Sequence, residues 1–329
     1  MIKAAFIIFL AHILDHFLGD PVYPFHPIRL IGKVIEIMEK QLRKVGFSGI
    51  GGGSLLVAEM FLFTGGTYLI IRQELESLHI HGALLLDTFL TYSSLATGDL
   101  IAHTKSVADC LIRDDLKQAR ERIRMIVGRD VSQLLPPAIA RAAIETLAEN
   151  FVDGLLSPLF WFLTGGILGF IFVDRPCQGG VLGIILFKTS STLDSMVGYR
   201  NERYLKFGKA SARMDDIMSF IPARVSIVFL ALAGLLWRLP VKEGIKTFFR
   251  YRLAHLSPNS AHAESLMAGI LNLSLGGPSV YYGQMVQKPW IGRGSTKATP
   301  EHILMSCRLI STAADLAVIV VILIILAFS

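Results

Sequence analysis

The sequence predicts an all-α, polytopic integral membrane protein with about four to six spanning or re-entrant helices and large helical loops on the cytoplasmic side. Two observations carry this fold class. Hydrophobic residues make up 52% of the 329 positions and the mean hydropathy is +0.54, above the roughly 45–50% apolar content of soluble domains. The apolar residues also gather in long blocks, with charged residues filling the stretches between. A bilayer imposes this pattern, because a spanning helix needs about 20 mostly uncharged residues to satisfy its backbone across the hydrocarbon. No internal repeat, coiled coil or low-complexity linker is present, so one membrane-embedded domain over 1–329 is expected.

Residues 2–18 form the first apolar segment, interrupted by His12, Asp15 and His16. Residues 50–71 form a cleaner one with only Glu59 charged, and 82–102 a third that carries Asp87 and Asp99. Residues 155–173 are long enough to cross, whereas 180–187 are too short to do so alone. A short candidate follows at 225–237, and 309–328 is a clean terminal span. Segment 103–154 holds eight basic and eight acidic residues, 188–224 seven and four, and 238–308 nine and three. Basic loops stay in the cytoplasm, so all three are placed there with 29–44, and the acidic connector 72–76 outside. Both flanks of 225–237 then lie inside, which predicts a re-entrant or buried piece, and an in–out–in hairpin at 155–187.

The net charge is +6 with a pI near 9.2. In a membrane protein this points to anionic lipid headgroups, and no nucleic-acid motif is present. Cys110, Cys177 and Cys307 are too scattered for a disulfide framework or a zinc site. No cleavable leader is expected, since Asp15, Gly19 and Asp20 follow the first apolar run where small residues would stand. Residues 113–124 read as a helix, and Pro136 and Pro137 start another that runs through 138–151.

The chemistry lies in the polar segments. Arg141, Glu145, Glu149 and Asp153 are four apart, hence about 40° apart on a helix, with Asn150 beside them. Carboxylates in one stripe repel unless a cation joins them, and Mg²⁺ with phosphate oxygens is a suitable hard partner. The plain alternative is a solvated face on which Arg141 pairs with Glu145. Asp194, Arg200, Asn201 and Arg203 follow within 192–204, then Asp215, Asp216 and Arg224. Arg matches phosphate bidentately and paired Asp suits a metal, although a juxtamembrane salt-bridge network would use the same residues. Asn259 sits in a turn, and His262 with Glu264 forms a candidate acid–base pair or a structural anchor. Asp87 and Asp99 are suspects because ionisable groups in a span are costly. Gly128, Arg129 and Asp130 form a helix-ending turn able to touch an anion. No Walker loop, dinucleotide fingerprint or C-x-x-C occurs.

Taken together these pieces resemble the CbiB/CobD family of cobalamin biosynthesis, adenosylcobinamide-phosphate synthase. The matching elements are Leu18-Gly19-Asp20-Pro21, 24–29 with Ile31 and Gly32, 127–130, 141–154, 192–204, 212–216, 221–224, 258–260, 267–269 and 276–278. They span nearly the whole chain in the family's order. Ser191, Ser219 and Ala263 depart from the Asn, Asn and Pro usual at those positions. The resemblance implies an ATP- and Mg²⁺-dependent ligase that joins adenosylcobyric acid to aminopropanol phosphate, or to aminopropanol or ethanolamine phosphate. It implies Mg²⁺ held by Glu145, Glu149 and Asp153, with Asp215 and Asp216 as competing ligands. ATP or phosphate would meet Arg141, Asn150, Arg200, Asn201, Arg203, Arg224 and Asn259. His262, Glu264 and Asp194 would serve catalysis. The implied partners are the corrinoid, the amino-alcohol phosphate and the bilayer, with homo-oligomers permitted and no nucleic acid. The rival readings are a transporter built on Asp87 and Asp99, a non-catalytic relative similar to the AmpE-like membrane proteins, and a lipid phosphoalcohol transferase.

Overall fold

The computed structural model describes residues 1–20, 23–199, 201–281 and 283–328. The chain is all-α and polytopic. Four helical stretches are long and apolar enough to cross a membrane: Ile50–Leu78, Pro136–Val173, Lys209–Leu236 and Pro300–Ala327. Among the described residues, β-structure is confined to four short strands, β1 (Leu275–Gly276), β2 (Ser279–Tyr281), β3 (Gln284–Val286) and β4 (Trp290–Ile291). They pair antiparallel as β1 with β4 and β2 with β3.

Two sequence expectations change. The apolar run 82–102 is two helices, α4 (Gly82–Tyr92) and α5 (Thr97–Ile112). The break has a local cause: Ser94 Oγ donates back to the Leu90 carbonyl at 2.7 Å, and Ser94 and Leu95 turn with three-residue hydrogen bonds. The short run 225–237 belongs to a longer helix, α11 (Phe220–Leu236), preceded by α10 (Lys209–Met218).

The contacts divide the chain into two compact units, 1–96 with 157–219 and 318–329, and 97–156 with 220–317. In the first unit α1 (Ile2–Leu18) packs on α4, while α2 (Pro27–Lys44) and α3 (Ile50–Leu78) pack on α9 (Pro176–Val197). Their core includes Ile35, Leu42, Leu56, Met60, Leu193 and Phe207. Helices α8 (Ser157–Val173) and α9 form a hairpin whose backbones nearly touch at glycines. A Cβ on Gly165 would lie 2.2 Å from the Gly179 carbonyl oxygen, and one on Gly183 2.2 Å from that of Trp161. Each helix therefore presents a small-residue pair four apart (Gly165 and Gly169, Gly179 and Gly183), the arrangement that allows close packing where lipid offers no hydrophobic drive.

Two buried acids of this unit, Asp87 and Glu39, are paired. Tyr68 Oη donates to Asp87 Oδ1 at 2.8 Å and Arg72 Nε to Asp87 Oδ2 at 3.1 Å. Asp87, suspected as an ion-pathway residue, is thus matched on both oxygens. Buried Glu39 accepts from Arg43 at 2.8 Å, from Arg203 at 3.0 Å and from the Tyr204 hydroxyl at 3.3 Å. Arg203, assigned above to phosphate, spends its guanidinium on this carboxylate. Arg203→Ala is expected to lower stability by only about 1 kcal/mol, because Arg43 remains on Glu39 and the lost partner is 58% exposed. A thermal melt in detergent checks this.

The second unit builds on α7 (Pro136–Phe151) and α13 (Ala261–Ile270). Every residue of α13 is buried, and the helix packs on α7, α11, α12 (Val241–Tyr251), β1 and β4. Helix α5 packs on α6 (Leu116–Arg124) and α7. After Phe151 the chain makes a π turn over Val152–Leu156. Such turns carry one extra residue and often mark functional sites. Asp153 lies in this turn, where the regular four-residue spacing of Arg141, Glu145 and Glu149 gives way to a wider one. Helix α14 (Pro300–Ala327) closes the chain and runs through the division at 317/318.

Candidate functional site

The second unit brings three sequence-distant pieces together around Gly276. Helix α7 supplies Glu145, whose Oε1 accepts from the Gly276 backbone N–H at 2.7 Å. Its Oε2 accepts from Arg129, whose other terminal nitrogen donates to Ser279 Oγ at 2.9 Å. The 127–131 loop is fastened to β2 as well, through Asp130 N–H and the Val280 carbonyl at 2.9 Å. The anion that Arg129 touches is therefore a carboxylate of its own chain. Gly276 and Gly277 both have positive φ (73° and 81°). A Cβ at Gly276 would lie 2.7 Å from the Pro289 carbonyl oxygen, so only glycine fits this strained turn.

Helix α13 brings Glu264 to the same turn, with Oε1 3.8 Å from where a Gly276 Cβ would stand. Glu264 is 5% exposed. Its Oε2 is 2.6 Å from His255 Nε2, and its Oε1 has no hydrogen-bond partner. Burial pushes the Glu264 carboxyl above its ordinary range, helped by the nearby charges of Glu145 and Glu149 and opposed by His255. The His255 imidazole is raised by its hydrogen bond to Glu264, against burial. The two side chains form one proton-holding pair beside Glu145 and Glu149.

His262 plays a different part from the one its place next to Glu264 in sequence suggests. It is fully buried, edge-on to Phe248 at 5.6 Å, and neither ring nitrogen makes a hydrogen bond of ordinary geometry. Burial, then the charges of Arg224 and Arg252, pull its imidazole down to about 4 from 6.5. The folded state thus resists a proton that the unfolded chain accepts. The stability that neutral His262 contributes is complete above pH 6.5 and is lost as the pH falls toward 4. The Tm gap between wild type and His262→Leu should accordingly shift against wild type over that interval, measured in parallel melts.

The remaining expected site residues fall as follows. Arg224 donates to Asn259 Oδ1 at 3.2 Å and stacks on Phe220, joining two residues assigned to substrate. Arg141 donates to the Thr296 carbonyl and lies 5.3 Å from the Trp290 ring centroid. Glu149 and Asn150 are exposed, with Asn150 Nδ2 on its own helix at Thr146 O, 3.0 Å. In the first unit, half-buried Asp194 has its carboxyl raised by burial and then by Asp216, which stands beside Asp215. Asn201 Oδ1 caps the Tyr204 N–H at 3.0 Å. Arg200 lies outside the described residues. Asp99 pairs with His103 at 3.5 Å, so neither acid proposed for a transporter is left without a basic partner.

Among the described residues no three His, Cys, Asp or Glu side chains stand together as a ready metal site. Mg²⁺ usually binds through one or two carboxylates and completes its shell with phosphate and water oxygens. Exposed Glu149 and half-buried Asp153, four residues on, are hard oxygen donors of that kind.

The CobD/Cbib protein family matches residues 8–310. Cobalamin biosynthesis protein CobD of Klebsiella pneumoniae is 38% identical over 311 residues, 93% of each chain. CobD of Geobacter metallireducens is 39% identical over 293 residues, 89% of this chain and 87% of its own. Cobalamin biosynthesis protein CbiB of Salmonella typhimurium is 36% identical over 312 residues, 94% and 93%. No solved structure matches.

Proposed function

The chain belongs to the CobD/CbiB family of cobalamin biosynthesis proteins, and on that premise we propose that it is a ligase joining adenosylcobyric acid to aminopropanol phosphate, or to aminopropanol or ethanolamine phosphate. A carboxylate does not react with an amine until one oxygen becomes a leaving group. Transfer of the γ-phosphoryl group of ATP to the propionate oxygen, with release of ADP, makes it one. The amine lone pair then forms the C–N bond, phosphate departs with the C–O electron pair, and the nitrogen gives up a proton.

The observation that best supports this reading is the Glu264–His255 pair. A buried carboxylate with raised proton affinity and a free Oε1 can take the amine proton, and His255 at 2.6 Å can pass it on. Mg²⁺, when bound, would offset the negative charge of phosphoryl transfer. Glu149 and Asp153 are the ligands favoured here, with Asp215 and Asp216 as the competing pair. Glu145 is committed to Arg129 and Gly276 N–H, so its part is to hold the glycine turn against the site. Arg224 with Asn259, and Arg141 beside Trp290, supply cations for phosphate. The polar loops would face the cytoplasm, where nucleotide and corrinoid are found and where their basic excess favours them.

The test is direct. Purified protein is incubated with adenosylcobyric acid, Mg²⁺–ATP and aminopropanol phosphate, and the amidated corrinoid is sought together with stoichiometric ADP. No product with phosphorylated or free amine would end the synthase reading.

A further inference from the structure

Helix α12 carries a face that the protein leaves uncovered. Val241, Gly244 and Phe248 are buried, facing the rest of the second unit. Ile245 and Phe249, four apart and so about 40° apart on the helix, are 39% and 66% exposed, and Leu253, in the turn that follows, is 66% exposed. Lys242 and Lys246 share or flank this arc on one side and Arg252 on the other, with Arg250 next to them. Lys246 pairs with Glu243 at 2.6 Å, which leaves the stretch 242–252 with a net basic excess. Apolar side chains ringed by Lys and Arg on a short helix suit the boundary between acyl chains and anionic headgroups.

A second, independent feature gives the level of that boundary. Apolar α11 ends at Leu236, and half-exposed Trp237 follows. The Trp237 indole N–H donates to Thr312 Oγ1 at 2.9 Å, and Arg308 lies 5.6 Å from its ring centroid. Thr312 and Arg308 mark the polar end of the apolar part of α14. Two apolar helices thus reach their polar ends together at a Trp–Arg pair, as membrane–water interfaces do. Arg238 then adopts a left-handed turn (φ 55°), Leu239 N–H bonds back to the Gly234 carbonyl at 2.9 Å, and α12 begins at Val241.

We infer that α12 is an interfacial helix, its Ile245 and Phe249 face, with Leu253 just beyond its end, seated in the headgroup layer of an anionic bilayer. The inference is independent of the ligase reading. It also couples lipid to the site, because α12 lies tightly on α13: a Cβ on Gly269 would fall 2.7 Å from Gly244 Cα, and Phe248 packs on His262. The helix that bears Glu264 therefore rests on the helix that meets the lipid.

The experiment places a bimane probe at Phe249→Cys in a Cys177→Ser background, Cys110 and Cys307 being buried. The full-length protein is reconstituted in nanodiscs of phosphatidylcholine, with and without phosphatidylglycerol. Lipid carrying a shallow doxyl group should quench the probe at least twofold more than aqueous iodide does, and more so when phosphatidylglycerol is present. Ile245→Cys is read in the same way should the first variant fold poorly. Efficient iodide quenching without doxyl quenching would make this a water-facing or protein-binding surface and overturn the inference. Equal lipid quenching in both disc types would overturn the role of the basic residues.

Discussion

Glu264→Gln is expected to cut amide-bond formation by about 10²–10⁴-fold, the range associated with loss of a general base, while thermal stability stays level or rises. The two effects separate because of where the side chain sits. Glutamine is isosteric, retains a hydrogen-bonding group toward His255, and removes a carboxyl that is 5% exposed and close to Glu145 and Glu149. Relief of that burial opposes any loss of packing. Product formation and melting temperature measured on the same preparation decide the matter. Full activity would remove Glu264 from proton transfer, and a fall in Tm in step with activity would make its role structural. Exposed Glu149 is the companion: Glu149→Gln should abolish synthesis with normal membrane expression, and near-full activity would take it out of the site.

Gly179→Ala is expected to cost about 3 kcal/mol or more, the upper range of overpacking, although alanine is otherwise the better helix former. The added Cβ would meet the Gly165 carbonyl oxygen at 2.2 Å and Gly169 Cα at 2.9 Å. Both are backbone atoms, which cannot turn aside as a side-chain end can, so α8 and α9 must part along their length. A lowered Tm and a poor yield of monodisperse protein are the measurements. Gly66→Ala on α3 is the control, since nothing lies within 4 Å of its Cβ, and it should leave both unchanged. Equal behaviour of the two variants would mean that close backbone approach does not hold the hairpin.

The sequence made the membrane class plain because lipid selects on composition, and composition needs no coordinates. Helix ends were less legible. Hydropathy over 82–102 sees apolar residues, whereas the break depends on Ser94 bonding back to Leu90. Segment 225–237 looked short because Asp215, Asp216 and Arg224 end an apolar window, yet charge does not end a helix. The stripe from Arg141 to Glu149 holds on α7, but Asp153 falls in a π turn, which has no signature in residue type. At the site, Glu264 could be singled out, but its partner could not. His262 is its neighbour in sequence and His255 its neighbour in space, because residues 252–260 fold back over α13. Arg129 stood out as touching an anion, and only the fold reveals that the anion is Glu145.

The division of the chain also bears on how the protein is made. Residues 318–329 belong to the same compact unit as residues 1–96, and the second unit is threaded between them in two pieces. A ribosome makes residues 1–96 well before 318–329, so the unit begun first is completed only after both pieces of the second have been made. Domains that are contiguous in sequence can fold one after another during translation; these two cannot. Helices would enter the bilayer in order of synthesis and then wait, and the first unit would be completed only once residues 318–329 had been made. A premature stop near residue 317 would therefore injure the oldest part of the molecule.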